Sequence, residues 1–196
     1  MPFVGRGGEK LRHALDTFGI DPRGLTCADF GANVGGFTDC LLQAGAAKVY
    51  AVDTGYGALA WTLRNDPRVV VMERTNALHA DPPEPVDLIA IDMGWTPQRL
   101  AIPAALRWLK PDGRIITLIK PHYELDPAER GLLRQGVLEE SDAERIAHRT
   151  AERIPEVGGA VLGLTRSPLT GGATKKNKRG NAEWLALVAP APPASP

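Results

Sequence analysis

The sequence has little that would suit an oxidising compartment or a bilayer. Only two cysteines occur in 196 residues, Cys27 and Cys40, and they form no CxxC pair. Neither a disulfide framework nor a zinc site is indicated, and no metal is implied. Each thiol lies in an apolar stretch, where burial is the ordinary reading. No run of about 18 apolar residues exists to span a bilayer, and Met1 to Lys10 lacks the apolar stretch of a secretory signal. A soluble, cytoplasmic protein with no membrane partner is expected. An excess of either charge is also missing: 23 basic and 23 acidic side chains cancel, leaving no global field to draw in a polyanion. Nucleic-acid binding would rest on local patches, of which there are two. Arg6, Lys10 and Arg12 lie near the start, and Lys175, Lys176, Lys178 and Arg179 near the end. A solvated surface is the plain alternative for both.

With 43% hydrophobic residues, the chain can bury the core of one domain. Leu11, Ala14, Leu15 and Phe18 recur at helical spacing, with Gly19 placed to end a first helix and Pro22 beyond it. Short apolar runs then alternate with helical patterns. Leu25 to Phe30, Val49 to Val52, Val69 to Met72, Val86 to Ile91 and Ile115 to Ile119 read as strands, and Gly36 to Ala44 as a helix. Strands this short and apolar on both faces belong in a parallel sheet covered by helices. Thr96-Pro97 and Asp126-Pro127, the latter with Glu129 at the capping-box position, read as helix starts. A further amphipathic helix is expected from about Glu140 to Ile154, and two last strands over Ala160 to Leu164 and Trp184 to Val188, joined by a Gly- and Lys-rich loop. The domain would span 1–189, with a disordered Pro/Ala/Ser tail over 190–196.

The first strand runs into Asp29-Phe30-Gly31-Ala32-Asn33-Val34-Gly35-Gly36-Phe37. Strand, glycine loop and helix let a nucleotide-like ligand approach the backbone at the carboxyl end of a sheet, and glycine is expected where a side chain would collide with it. Asp53, about twenty residues on, ends the second strand, where a carboxylate can accept both ribose hydroxyls of an adenosine. The glycine spacing misses the G-x-G-x-x-G register that holds a pyrophosphate. It therefore favours S-adenosylmethionine, which has no phosphate, over a nicotinamide or flavin dinucleotide; a structural turn without ligand is the bland alternative. Asp92 and Lys120 also follow apolar strands, at ends that converge on the ligand crevice. A lysine beside another cation and partly desolvated gives up its proton more readily, which suits a general base. A plain Asp/Lys ion pair closing the sheet end is the alternative.

Six segments carry a family resemblance: Arg6-Gly7-Gly8-Glu9-Lys10-Leu11, Asp29 to Asp39, Tyr50 to Gly57, Glu73-Arg74-Thr75-Asn76, Ile119-Lys120-Pro121-His122-Tyr123-Glu124 and Gly180-Asn181-Ala182-Glu183. In this order and spacing the chain resembles the FtsJ-like methyltransferase domain of the TlyA family, ribosomal RNA 2′-O-methyltransferases first labelled hemolysins. The resemblance implies a Rossmann-like α/β fold with a mostly parallel seven-stranded sheet, S-adenosylmethionine as cofactor and RNA as substrate. It also implies a Lys-Asp-Lys-Glu tetrad on Lys10, Asp92, Lys120 and Glu183, with Lys120 taking the hydroxyl proton. Gly31, Asn33, Gly35, Gly36, Phe37, Asp53, Asn76 and Asp92 would hold the donor. Arg6, Arg12, Lys175, Lys176, Lys178 and Arg179 would contact RNA.

Two departures stand out. The family's amino-terminal S4 RNA-binding domain is not in this sequence, so anchoring would fall to the basic patches, to a partner protein replacing S4, or to a longer form of the chain. The family's Ser-Phe-Ile-Ser after the catalytic aspartate reads Met93-Gly94-Trp95-Thr96 here. Trp95 could stack on a base, though a buried or lid tryptophan is the plainer expectation. Competing functions are an O-methyltransferase of a small hydroxylated metabolite, a non-catalytic RNA-binding relative and a membrane-active hemolysin. The intact tetrad weighs against the first two, and the lack of a membrane span against the third.

Overall fold

The protein, seen in a computed structural model that describes residues 2–172 and 180–192, is built on one sheet. Its strands are β1 (Thr26–Phe30), β2 (Lys48–Val52), β3 (Val69–Met72), β4 (Val86–Ile91), β5 (Leu109–Ile119), β6 (Gly159–Arg166) and β7 (Trp184–Pro190), in the order β3-β2-β1-β4-β5-β7-β6. Only β7 is reversed, running antiparallel to both β5 and β6. The helices are α1 (Gly7–Phe18), α2 (Gly36–Gln43), the single turn α3 (Trp61–Arg64), α4 (Gln98–Trp108) and α5 (Glu140–Arg153).

Both faces of the sheet are covered, which is why its inner strands are mostly apolar, with Asp29 of β1 and Thr117 of β5 as buried polar exceptions. On one face Phe30, Ile89, Ile91, Ile102, Trp108 and Ile146 form a core, with Trp108 edge-on to Phe30 at 5.0 Å. On the other, Leu11 and Leu15 of α1 and Cys40 and Leu41 of α2 pack on Cys27, Val49, Leu88 and Ile116. Both thiols are free and buried, and burial pushes each up to about 12. Gly19 ends α1 in the left-handed region, its N–H bonded to the Leu15 carbonyl, as the sequence leads one to expect.

Some boundaries differ from the sequence reading. Asp126 does start a capping box with Glu129, but the turn that follows, Pro127–Leu132, is a 3₁₀ helix. β5 begins six residues early, because Pro111-Asp112-Gly113 is absorbed as an irregularity between the Val86 and Leu88 pairings rather than ending the strand. β7 extends to Pro190, the first residue of the expected tail; residues 193–196 lie outside the described part.

The register fixes the site. Phe30 is level with Val52 and with Ile91, so the residues that follow, Gly31, Asp53 and Asp92, emerge along one edge. Lys120 follows β5 at that edge, and because Ile119 pairs with Trp184 in the reversed β7, Glu183 enters beside it.

Candidate active site

A cavity of about 750 Å³ opens along this carboxyl edge. Lys10, Gly31, Asn33, Gly36, Phe37, Asp53, Asn76, Asp92, Lys120 and Glu183 all line it, as does Arg6. Residues that the sequence argument left out line it too, among them Gly5, Gly7, Thr54, Thr75, Leu78 and Gly172. Gly7, Thr54 and Thr75 fall within segments that carry the family resemblance, and Gly5 lies just ahead of the first of them, but no local pattern gives any of them a site role.

The glycine loop is shaped by the protein's own packing. Gly31, at φ 90°, would bring a Cβ to 2.6 Å from the Asp92 carbonyl, so β1 and β4 can meet at this edge only over a glycine. Gly35, at φ 99°, would drive a Cβ to 2.2 Å from Leu63. It does not line the cavity, and the atoms nearest its Cα side are those of Leu63 of α3 and Leu59. Gly36 allows α2 to approach the backbone of Gly7 and Gly8 closely. The collisions that glycine avoids here are thus with chain as well as with ligand.

The Asp53 carboxylate is oriented by two backbone N–H donors, Asn33 at 2.8 Å and Gly55 at 2.6 Å, one on each oxygen. Each oxygen keeps lone-pair capacity toward the cavity, enough for two hydroxyl donors. Asp29, one residue from the end of β1, is fully buried; one oxygen accepts both the N–H and the hydroxyl of Thr38 at the start of α2, and the other has no hydrogen-bond partner among the described residues. Burial drives its carboxyl up to about 7, against the Thr38 bonds, with the nearby Asp92 and Asp53 charges pushing the same way.

Two ion pairs form the polar floor. Lys120 Nζ is 2.5 Å from Asp92 Oδ1 and also donates to the Met93 carbonyl at 3.3 Å. Lys10 Nζ is 2.5 Å from Glu183 Oε2, and this pair is nearly dry, with Lys10 7% and Glu183 3% exposed. The Glu183 carboxyl is raised by burial, opposed by the Lys10 charge, and also feels Asp92 and Lys120, so the four groups act on one another. Lys10, first grouped with Arg6 and Arg12 as a surface patch, therefore belongs to the interior of the site. Arg12 points elsewhere, paired with Asp16 on the outer face of α1 at 2.6 Å. Lys175, Lys176, Lys178 and Arg179 lie outside the described residues.

The rim of the cavity is aromatic and cationic. Trp95 is 84% exposed, which excludes a buried role, and its ring lies over Tyr123 with centroids 4.9 Å apart. Its backbone sits at φ 61°, a conformation costing a non-glycine residue about 1–3 kcal/mol. Beyond Asp53 and Thr54, which line the cavity, Tyr56 is 71% exposed and carries the Arg74 guanidinium over its ring at 4.2 Å; neither Tyr56 nor Arg74 lines the cavity itself. Arg64, Arg68, Arg145, Arg149 and Arg153 are all spent on carboxylates. Arg6 and Arg74 have no carboxylate partner among the described residues.

The FtsJ-like methyltransferase model matches residues 3–157. The chain is similar to the 16S/23S rRNA (cytidine-2′-O)-methyltransferase TlyA of Mycobacterium tuberculosis, with 40% identity over 187 residues, covering 93% of this chain and 67% of that protein. It is also similar to Hemolysin A of Brachyspira hyodysenteriae, at 37% identity over 192 residues, covering 95% and 76% respectively. A solved chain from Streptococcus thermophilus, carried under a provisional hemolysin name, superposes over all of this chain and 69% of its own, with a TM-score of 0.89 and 35% identity.

Proposed function

The chain belongs to the FtsJ-like methyltransferase family, and on that premise we propose that it methylates a ribose 2′-hydroxyl of RNA, ribosomal RNA in particular, with S-adenosylmethionine as donor. The observation that carries the reading is the meeting of two ion pairs, Lys120–Asp92 and Lys10–Glu183, at the floor of one cavity.

The cavity suits the donor. Its volume, about 750 Å³, lies in the range of small-molecule sites. Asp53 would take the ribose hydroxyls of the adenosine, Asn76 would lie near that adenosine, and the backbone of Gly31 to Phe37 would face the remainder. When bound, S-adenosylmethionine supplies a methyl group already activated by its sulfonium. The protein is left with positioning the acceptor and removing one proton. Lys120, acting as the neutral amine, takes that proton from the ribose hydroxyl and is left as the ammonium paired with Asp92. Asp92 holds the Lys120 amine at the cavity floor, and Lys10 with Glu183 orients the hydroxyl and completes the field around it. If Asp53 holds the donor, Asp53→Ala weakens it by about 1.5–3 kcal/mol, tenfold or more in Kd. Calorimetry with S-adenosylmethionine checks this, and an unaltered Kd removes Asp53 from the site.

An exposed surface bearing Trp95 over Tyr123 at the cavity and Arg74 over Tyr56 beyond it fits an unstacked RNA strand better than a small metabolite, because aromatic faces hold single bases and arginines without a carboxylate partner meet phosphates. The basic residues Lys175, Lys176, Lys178 and Arg179 would add phosphate contacts. Trp95→Ala is expected to weaken RNA binding by about 1–3 kcal/mol, and Arg74→Ala to weaken it with a shallower dependence on salt. Binding titrations across a salt series read both. No loss in either variant removes these residues from the RNA surface.

A further inference from the structure

Asp92 and Lys120 each open a loop, and the two loops end on the same hydrogen bond. The first runs from Asp92 to Gln98, the opening residue of α4. The second starts with Lys120, makes a 3₁₀ turn over Pro121–Tyr123 and ends at Glu124, whose N–H donates to the Pro121 carbonyl at 3.0 Å. Glu124 Oε1 accepts the backbone N–H of Gln98 at 2.8 Å, capping an eleven-residue helix whose own N-cap position, Pro97, offers no side-chain acceptor. The buried Gln98 side chain turns back to β5: its Nε2 donates to the Leu118 carbonyl at 3.2 Å, and its Oε1 accepts from the Thr117 hydroxyl at 2.7 Å. The Lys120-bearing segment is thus held at both ends, Thr117–Leu118 and Glu124, by one residue that also terminates the Asp92 loop. Arg149 of α5 fixes the Glu124 backbone, donating to its carbonyl at 3.1 Å.

We infer that Glu124 is a positioning residue for the Lys120–Asp92 pair, acting through Gln98. It does not line the main cavity. Its carboxylate borders a separate space of about 150 Å³ behind Tyr123, where Arg99 of α4, Arg153 of α5 and Asp126 also lie. Glu124 therefore touches neither donor nor acceptor and works by fixing where two loops start. Burial pushes its carboxyl up to about 7, against the pull of the Gln98 N–H and the Arg99 and Arg149 charges. Below that pH the acceptor becomes neutral, the bond to Gln98 weakens, and α4 loses the negative charge at its amino end. The inference rests on the function proposed above, in which Lys120 and Asp92 act on the acceptor.

The test compares Glu124→Ala with Glu124→Gln, whose amide oxygen can still accept from Gln98. At saturating donor and ribosomal RNA, Glu124→Ala should lower the single-turnover rate by about ten- to a hundredfold, with donor and RNA affinities little changed. Glu124→Gln should recover most of that rate and lose the ionisation step near pH 7. Hydrogen exchange supplies a second readout independent of methyl transfer: Glu124→Ala should expose amides in both 92–98 and 118–124, and Thr117→Val should do the same from the other end of the bridge. An undiminished rate in Glu124→Ala overturns the inference, as does equal loss in both Glu124 variants, or exchange confined to residue 124 and its immediate neighbours. If the unaltered protein transfers no methyl to RNA, the proposed function fails, and the exchange pattern alone then decides whether Glu124 couples the two loops.

Discussion

Lys120→Ala is expected to lower methyl transfer by about a thousandfold, within the range for loss of a general base, while leaving the dissociation constant of S-adenosylmethionine nearly unchanged. The expectation follows from where the amine sits. Lys120 is held 2.5 Å from Asp92 at the cavity floor, whereas the proposed donor contacts, the glycine loop and Asp53, follow β1 and β2 on the far side of β4. Loss of rate should therefore appear in kcat and not in donor affinity. Lys120→Arg sharpens the test. It keeps a cation for Asp92 but cannot take a proton near neutral pH, so it should be as inactive as the alanine variant. Substantial activity in Lys120→Arg would mean that the residue acts by charge alone, and the base would have to be sought elsewhere.

Lys10→Met should have the largest effect on stability, about 3–5 kcal/mol, the usual cost of leaving one member of a buried ion pair alone. Glu183 is 3% exposed and Lys10 is its direct partner. Glu183 already has its carboxyl raised by burial, with Lys10 pulling it down; without Lys10 it should rise further. The sign of the pH effect follows. A carboxyl whose pKa is higher in the folded than in the unfolded state binds protons more tightly when folded. Stability is then greatest below the unfolded value and falls as pH climbs toward the folded one. Urea unfolding of Lys10→Met at pH 5 and pH 8 should show a larger deficit at the higher pH. A deficit below about 1 kcal/mol at both would mean that the pair is solvated and contributes little. The double change Lys10→Met, Glu183→Leu should recover much of the loss, because no buried charge is left behind.

The strands were legible because burial on both faces writes a short, mostly apolar run, as in Val49–Val52 and, but for Asp87, Val86–Ile91. The polar residues ending those runs, Asp53, Asp92 and Lys120, could be read as a site because a parallel sheet brings its carboxyl ends together. Lys10 and Glu183 could not be read that way. Glu183 reaches the edge only because β7 is reversed and pairs Trp184 with Ile119, and Lys10 reaches it from a helix remote in sequence. Family resemblance supplied both, where local pattern would have left them as surface polar residues. The role of the glycines was read in part, since Gly35 meets Leu59 and Leu63, a contact no local rule announces. Glu124 closes one of the segments that carry the family resemblance, but nothing in the sequence gives it or Gln98 a partner. Their partnership is a contact across 26 residues, visible only once α4 is seen to begin over the turn that follows Lys120.

The most direct measurement is transfer of radiolabelled methyl from S-adenosylmethionine to unmodified bacterial ribosomal RNA and ribosomal subunits, with Lys120→Ala alongside, followed by alkaline hydrolysis. A methylated ribose blocks cleavage at its own phosphate, so the account predicts label confined to an alkali-resistant dinucleotide and lost with the variant. Label recovered in mononucleotides as a methylated base, or label undiminished in Lys120→Ala, would contradict it.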